Sequence, residues 1–384
     1  MKTYKHLYEQ LISEDNIYTA IMNACKHKLG RKDFRHLHDH PEEYIQWFQE
    51  QIENFKNDFH TPIEIYDGVQ RKRRIIIVPS LREQVVHHMI VNVLNPIFLK
   101  PMYEHSYGSI PGRGAHDAKN HIAKFIRNHP NDVTYCFKGD IRKYFNSIPH
   151  DILIARLRQI IKDEKFMNVV EEIINVTDVG IPLGFYLSQW IANWYLTEMD
   201  HFIKEELKAV AYYRYMDDIV IFDHSKEKLA YIKNCICDQL EKLGLHMKDN
   251  WQIFEFHHVE FVDKKYTNKG RFLDFMGFRF YRDKVTLRRS IYKKACRKAR
   301  RIHRKDRPTL HDARQMMSYK GWFESTNTNK AFNKYVSPYI NYNYLSWIIS
   351  HAERRRNYEL EEKRKHSLSR TCRSYSIQNN CVCA

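Results

Sequence analysis

Two adjacent carboxylates, Asp217 and Asp218, stand between the apolar and aromatic runs Tyr212-Tyr213-Arg214-Tyr215 and Ile219-Val220-Ile221-Phe222. Runs of this kind read as two short strands, so residues 209–222 are expected to form a hairpin with Met216-Asp217 at its tip. A tight hairpin turn is most easily made from Asn-Gly or Asp-Gly. Paired acids instead place like charges side by side at the end of apolar strands, which is unfavourable unless a cation is drawn to them. A third acid, Asp140, closes the apolar strand expected over 133–139. The competing reading makes Asp217-Asp218 a solvated turn and Asp140 a helix N-cap.

Convergent carboxylates at strand ends suit nucleotidyl transfer, which uses two divalent ions about 4 Å apart, one activating a 3′ hydroxyl and one neutralising the leaving pyrophosphate. All-oxygen donors select Mg²⁺, with Mn²⁺ as the substitute. The charge balance points the same way. Lys+Arg number 63 against 46 Asp+Glu, a net +17, which calls for a polyanionic partner. With 25 tyrosines among the aromatics, that partner reads as nucleic acid and not a membrane surface. No apolar run approaches the ~20 residues of a membrane span, and Met1-Lys2-Thr3-Tyr4-Lys5-His6 leads into a charged helix, so a cytoplasmic protein is expected. Eight scattered cysteines without a Cys-x-x-Cys pair indicate neither a zinc site nor a disulfide framework, and Cys235, Cys237, Cys381 and Cys383 are expected to be free thiols. His87-His88 and His257-His258 lack carboxylate or cysteine partners at metal spacing.

A chain of 384 residues is expected to hold two or three subdomains. Residues 1–62 read as a helical extension, with Pro41 opening its second helix. A hairpin follows over 63–79, its second strand entered through Arg71-Lys72-Arg73-Arg74 with Gly68 at the turn. Helices are expected at 81–98 and 115–126, flanking the glycine-rich loop 106–114. Beyond Asp140 come a helix from 150 or 151, a loop over 175–184, one long apolar helix over 188–207 and another over 226–243. Strands at 272–281 and 285–287 precede a helical, basic end.

On these residues the chain resembles the reverse transcriptases. Tyr215-Met216-Asp217-Asp218 is similar to their signature turn, and Gly139-Asp140-Ile141-Arg142-Lys143-Tyr144-Phe145 to their first aspartate motif. Gly180-Ile181-Pro182-Leu183-Gly184-Phe185-Tyr186-Leu187-Ser188-Gln189 resembles the loop and helix that hold the incoming nucleotide, and Phe275-Met276-Gly277-Phe278 the primer grip. The resemblance implies an α+β right-hand polymerase: fingers over 63–132, a palm over 133–285 with interleaved fingers helices near 151–180 and a helical thumb over 286–363; the loss of periodicity beyond it reads as a flexible basic tail over 364–384. The resemblance makes Asp140, Asp217 and Asp218 catalytic and metal-binding, with the Ile141 backbone in reach of a metal. Phe145 takes the place of the ring that excludes a ribose 2′ hydroxyl, although an ordinary core role competes. Arg73 and Arg74 resemble the fingers strand that clamps the triphosphate, where guanidinium forks match phosphate oxygens, and a solvated face competes for each. Tyr215, Met216, Met276 and Gly277 would contact nucleic acid.

The nucleotide-pocket motif departs from the usual pattern, which has Gln before the Gly and Ser-Pro at its end. Here Leu183 precedes Gly184, and Ser188-Gln189 opens the helix. This resembles the diversity-generating retroelement branch, as do Trp251 with Lys248-Asp249-Asn250, and Ser318-Tyr319-Lys320-Gly321-Trp322. Replacing a hydrogen-bonding Gln by Leu removes a contact worth about 1–3 kcal/mol in discriminating pairing geometry, so low fidelity is expected. The branch implies misincorporation opposite template adenine, a structured template-repeat RNA that also primes the cDNA, dNTP substrates, and a small basic helical accessory protein, usually a pentamer. A retron or group II intron-like enzyme is the alternative, as are a catalytically idle RNA-binding scaffold and a template-independent nucleotidyl transferase. Lys293, Lys294, Arg297, Lys298 and Arg301, within a basic run over 292–307, would coat a helix that tracks a duplex backbone. The later run Arg354-Arg355-Arg356 and Lys363-Arg364-Lys365 alternates with glutamates that could pair with it.

Overall fold

The computed structural model describes residues 2–67, 72–355 and 358. The chain divides into two compact units, Met1–Met276 with Tyr281–Asp283, and Gly277–Phe280 with Lys284–Ala384. The expected turn at Gly68 and Arg71, the tail over 364–384, Arg356, Lys363-Arg364-Lys365 and Cys372, Cys381 and Cys383 lie outside the described residues.

In the first unit, helices α1 (Leu7–Leu11), α2 (Glu14–Cys25), α3 (Lys32–Asp39) and α4 (Glu42–Glu53) precede the hairpin of β1 (Ile63–Asp67) and β2 (Lys72–Ile76). Pro41 does open a helix, but the fourth and not the second. These helices are no appendage, because Leu11, Ile17, Ile21, Phe34 and Phe48 are buried in the same core as the rest of the unit. Helix α5 (Leu81–Leu99) starts at a capping box in which Ser80 and Glu83 satisfy each other's backbone amides. Glu83 also accepts from Asp58 N and His60 Nε2, so the helix start anchors the segment before β1.

Strand β3 (Ser106–Tyr107), helix α6 (Ala115–Asn128) and strand β4 (Tyr135–Asp140) follow, then α7 (Tyr144–Ser147), α8 (His150–Ile160), α9 (Glu164–Ile174), α10 (Tyr186–Tyr195) and α11 (Thr197–His201). The single long helix expected over 188–207 is thus broken: Leu196 leaves helical geometry at φ −93°, ψ 2°, and a π-helical turn spans Phe202–Glu206. Strands β5 (Ala211–Tyr215) and β6 (Asp218–Asp223) form the expected hairpin, and α12 (Lys226–Lys242) leads to β7 (Gln252–Glu255). The hairpin of β8 (His258–Val262) and β9 (Lys265–Lys269), and β10 (Leu273–Phe275), complete the unit's strands.

The central sheet has the order β3-β5-β6-β4-β7, antiparallel except for the β3–β5 pair. Side chains alternate faces along a strand. One face, with Phe137, Ile219, Ile221 and Tyr212, joins the helices in the core; Lys138, Asp140 and Asp218 belong to the other. Among the described residues, no helix is long and apolar enough to cross a membrane, and Cys235 and Cys237 are free thiols.

The second unit holds the antiparallel pair β11 (Phe278–Phe280) and β12 (Val285–Leu287) with helices α13 (Arg289–His303), α14 (Leu310–Glu324) and α15 (Asn329–Tyr335). Gly277, at φ +89°, has no room for a side chain, since a Cβ would stand 2.8 Å from Ile291 Cδ1 and 3.0 Å from the Trp322 ring. Phe278 stacks on Trp322 at 4.8 Å.

Candidate active site

The three acids converge because of register. Asp140 is the last residue of β4 and lies directly opposite Asp218, the first of β6, so the two share a sheet face. Asp217 sits in the two-residue turn between Tyr215 and Asp218, with Met216 in the left-handed region at φ 54°. That turn is pinned from three sides. Met216 N donates to Tyr107 O at 3.0 Å, Ile141 N donates to Asp217 O at 3.2 Å, and Arg214 Nη1 donates to Met216 O at 3.0 Å. Gly108 makes the close approach possible, since a Cβ there would lie 3.0 Å from Met216 Cγ.

Burial, then the charges of Asp140 and Asp218, push the Asp217 carboxyl up to about 7. Such crowding of negative charge is what a divalent cation relieves. Asp140 gives a second sign: its Oδ1 is buried and has no hydrogen-bond partner, while Oδ2 accepts from Lys248 Nζ. The Lys248 amide also donates to Asp140 O at 2.8 Å. A cleft of about 130 Å³ opens there, lined by Lys138, Gly139, Asp140, Asp218, Asn250 and Gln252. In this side-chain arrangement no three His, Cys, Asp or Glu groups among the described residues are gathered tightly enough to hold an ion, and the Lys248 ammonium is paired with Asp140. The donor set is all oxygen and one buried acceptor is open, so Asp140 and Asp217 fit a hard divalent ion.

The pocket residues gather around one loop. The Phe145 carbonyl accepts from Ile181 N at 2.7 Å, and Gly180, at φ +78°, lies so close to Asn146 that a Cβ would be 2.5 Å from its Cα. Leu183 O accepts from Ile77 N at 2.8 Å, and a Cβ on Gly184 would collide with the Ile77 carbonyl, which ties the loop to the chain leaving β2. Phe145 and Leu183 are half-buried, Ser188 is buried and Gln189 half-buried on α10. Arg73 and Arg74 point to opposite faces of their hairpin. Arg73 is exposed and paired with Glu64 at 2.7 Å, whereas Arg74 is half-buried. Tyr215 and Met216 are half-buried beside the acids, Met276 takes a left-handed φ of 50°, and Gly277 packs beneath Trp322.

In the second unit Lys293, Lys294, Arg297 and Arg301 are exposed on α13. Lys298 does not join them, which corrects the expected coating of the helix. It is only 6% exposed and donates to Asp312 Oδ1 at 2.6 Å, because Ala295, Cys296, Ala299 and Ile302 turn that side of α13 inward.

Sequence reasoning passed over Arg214 and Asp200, both fully buried, whose ion pair lies under the turn on the helical face of the sheet. A signal was present. With period two along β5, Arg214 falls on the same face as Tyr212, so a charge was aimed at the core. Reading 106–114 as a loop alone also missed that Ser106 and Tyr107 pair with Arg214 and Tyr215.

Among known families, the one described as "Reverse transcriptase (RNA-dependent DNA polymerase)" matches residues 57–275. The chain is 33% identical over 155 residues to an uncharacterized 91 kDa protein in the cob intron of Schizosaccharomyces pombe, covering 38% of this chain and 19% of that protein. It is 24% identical over 210 residues to the Retron Ec73 reverse transcriptase of Escherichia coli, covering 50% and 64%. With the Group II intron-encoded protein LtrA of Lactococcus lactis subsp. cremoris it shares 25% over 219 residues, covering 53% and 36%. The chain thus spans from about a fifth to just under two thirds of the length of these relatives.

Proposed function

The chain belongs to the reverse transcriptase (RNA-dependent DNA polymerase) family, whose profile spans more than half of it, and from that premise we propose that it copies RNA into DNA at Asp140, Asp217 and Asp218. The observation that carries this reading is the pairing of Asp140 opposite Asp218 beneath the Asp217 turn, with Asp140 Oδ1 buried and open. Asp140 and Asp217 would hold two Mg²⁺ ions, with Asp218 and the Ile141 backbone in support. When bound, the ions activate the primer 3′ hydroxyl and neutralise the pyrophosphate. The protein's own part is orientation. Phe145, held through its carbonyl to Ile181, sets a ring against the sugar edge and excludes a 2′ hydroxyl. Arg73, exposed and paired with Glu64, and Arg74, half-buried on the other face of the hairpin, are the guanidinium forks that would meet a triphosphate. The exposed Lys293, Lys294, Arg297 and Arg301 would follow the template–primer backbone.

Primer extension on an RNA template with Mg²⁺ tests the assignment. Asp217→Ala is expected to abolish cDNA synthesis, and retained synthesis would overturn it. Extension without template would favour a terminal transferase.

Within the family, Leu183 and Ser188-Gln189 support the diversity-generating branch, with error-prone synthesis at template adenines, a template-repeat RNA and a small basic helical accessory protein, a pentamer. Leu183 makes its loop contact through its backbone carbonyl, leaving an apolar side chain where Gln would hydrogen-bond. Sequencing cDNA from Leu183→Gln tests this. A fall in errors at adenines is expected, and an unchanged spectrum would remove Leu183 from the mechanism. The second reading, a retron or group II intron-type enzyme, is favoured by the kinds of relatives matched; accurate synthesis by the wild-type protein would select it.

A further inference from the structure

The turn that carries Asp217 rests on a buried polar network reaching to the helix of Ser188 and Gln189. Every nitrogen of the Arg214 guanidinium donates. Nε and Nη2 grip Asp200 Oδ1 and Oδ2 at 2.7 and 2.6 Å, Nη1 reaches Met216 O at 3.0 Å and Asn193 Oδ1 at 3.4 Å, and Nη2 also reaches Ser106 Oγ at 3.1 Å and Asn193 O at 3.3 Å. Asp200 is satisfied in turn, since Tyr212 Oη donates to Oδ1 at 2.5 Å and Ser106 Oγ to Oδ2 at 2.9 Å. Asn193, fully buried on α10, donates to Gly108 O at 2.9 Å and to Gln189 O at 3.3 Å.

An ion pair this deep is a poor choice for stability alone, because desolvation cancels much of its attraction and apolar replacements often serve as well. Its geometry has a second use. A left-handed residue such as Met216 is unfavourable without support, and Arg214 binds the carbonyl of that residue, one peptide from Asp217. We propose that Arg214, locked by Asp200 and Ser106, is the positioning residue that sets where the Met216-Asp217 turn presents its carboxylate, and that Asn193 ties this setting to the nucleotide-pocket helix. The role needs a planar fork with donors in several directions. Lysine, with one compact ammonium, cannot reach Asp200 and Met216 O together.

This inference rests on the polymerase reading, and the experiment separates the two. The full chain is titrated with Mn²⁺ alone and free Mn²⁺ is followed by electron paramagnetic resonance, alongside hydrogen exchange at the Met216 and Ile141 amides and steady-state primer extension. Arg214→Lys is expected to weaken Mn²⁺ binding about tenfold, the range seen when a group behind a metal ligand is lost. It should deprotect the two amides and lower kcat while leaving KM for template–primer unchanged. Ser106→Ala, a milder change that removes one strut to each partner, should shift all readouts the same way by about threefold, and it decides the matter if Arg214→Lys does not fold. Folded variants with wild-type Mn²⁺ affinity and kcat overturn the role of Arg214. A wild-type protein that binds no Mn²⁺ overturns the polymerase reading instead.

Discussion

Two cation–carboxylate pairs approach the Met216-Asp217 turn from opposite faces of the same sheet, and they are built in opposite ways. Arg214–Asp200 is fully buried and every oxygen of its carboxylate is engaged twice. Lys248–Asp140 is 28% exposed on each side, makes one contact through one oxygen, and leaves the other oxygen buried and open. The contrast teaches what each pair is for. Dismantling the first strands a charge in a low-dielectric core, so its partners cannot be exchanged for water or metal. The second lies beside a cleft, and an incoming divalent ion offers Asp140 more than an ammonium does. One pair grips the backbone of the turn; the other leaves a carboxylate oxygen that a divalent ion could take.

The sharpest way to break this contrast is to remove the exchangeable carboxylate. Asp140→Asn should lower cDNA synthesis by about 10³-fold or more, with the thermal midpoint nearly unchanged, since the pair it loses is worth about 0–1 kcal/mol. Steady-state primer extension and calorimetry check it together. A large fall in stability would mean that the two pairs do the same work. The converse change, Asp200→Ala, should cost about 3–5 kcal/mol of unfolding free energy in a denaturant titration by leaving Arg214 unpaired. The double change Asp200→Leu with Arg214→Met should recover much of that stability and none of the Mn²⁺ affinity, which would sharpen the claim that the network exists for position.

A third pair in the second unit lies between these extremes. Burial raises the Asp312 carboxyl, but hydrogen bonds from Lys298, Lys305 and Thr309 carry it well below the usual range. Lys298 is buried, whereas Lys305 has a side chain 36% exposed. Because the folded value is depressed, the unfolded state binds the proton first. The stabilisation is therefore fully present above the unfolded value near 4 and is lost as pH falls below it. Thermal melts between pH 5 and 2.5 should show a loss that Asp312→Asn flattens. An equal acid loss in that variant would assign the effect to other groups.

How much of this was legible in the sequence depends on whether the signal was local. The Tyr215–Asp218 hairpin and the Asp140 strand end follow from period-two runs, and their opposition needs only antiparallel pairing. Arg214 was visible as a core-facing charge, but its partner Asp200 is 14 residues away on a helix read as unbroken. The breaks at Leu196 and at Phe202–Glu206 come from tertiary demands that helix-periodic apolar spacing conceals. Strand β3, two residues long, has no periodicity to read, and Lys298 looked like its neighbours because pairing with Asp312 is set by how α13 meets α14. Arg73 and Arg74 were indistinguishable until the register Tyr66↔Arg73 and Ile65↔Arg74 separated their faces.

The smallest expected effect tests the Asp140 carboxylate itself. If Lys248 only stands in for a metal on Asp140, then Lys248→Met, which keeps the stem and removes the charge, should bind Mn²⁺ about threefold more tightly, the scale of a partly exposed ion pair. Competition between two cations for one carboxylate should weaken with salt, so the difference between variant and wild type should shrink from low to high ionic strength. If the variant binds Mn²⁺ more weakly, Lys248 is holding Asp140 in place, and the pair belongs with Arg214–Asp200 as scaffold. The backbone bond from Lys248 N to Asp140 O does not involve the side chain that is changed. A gain in affinity therefore reports the lost charge at the carboxylate and not a new path of the chain beside it.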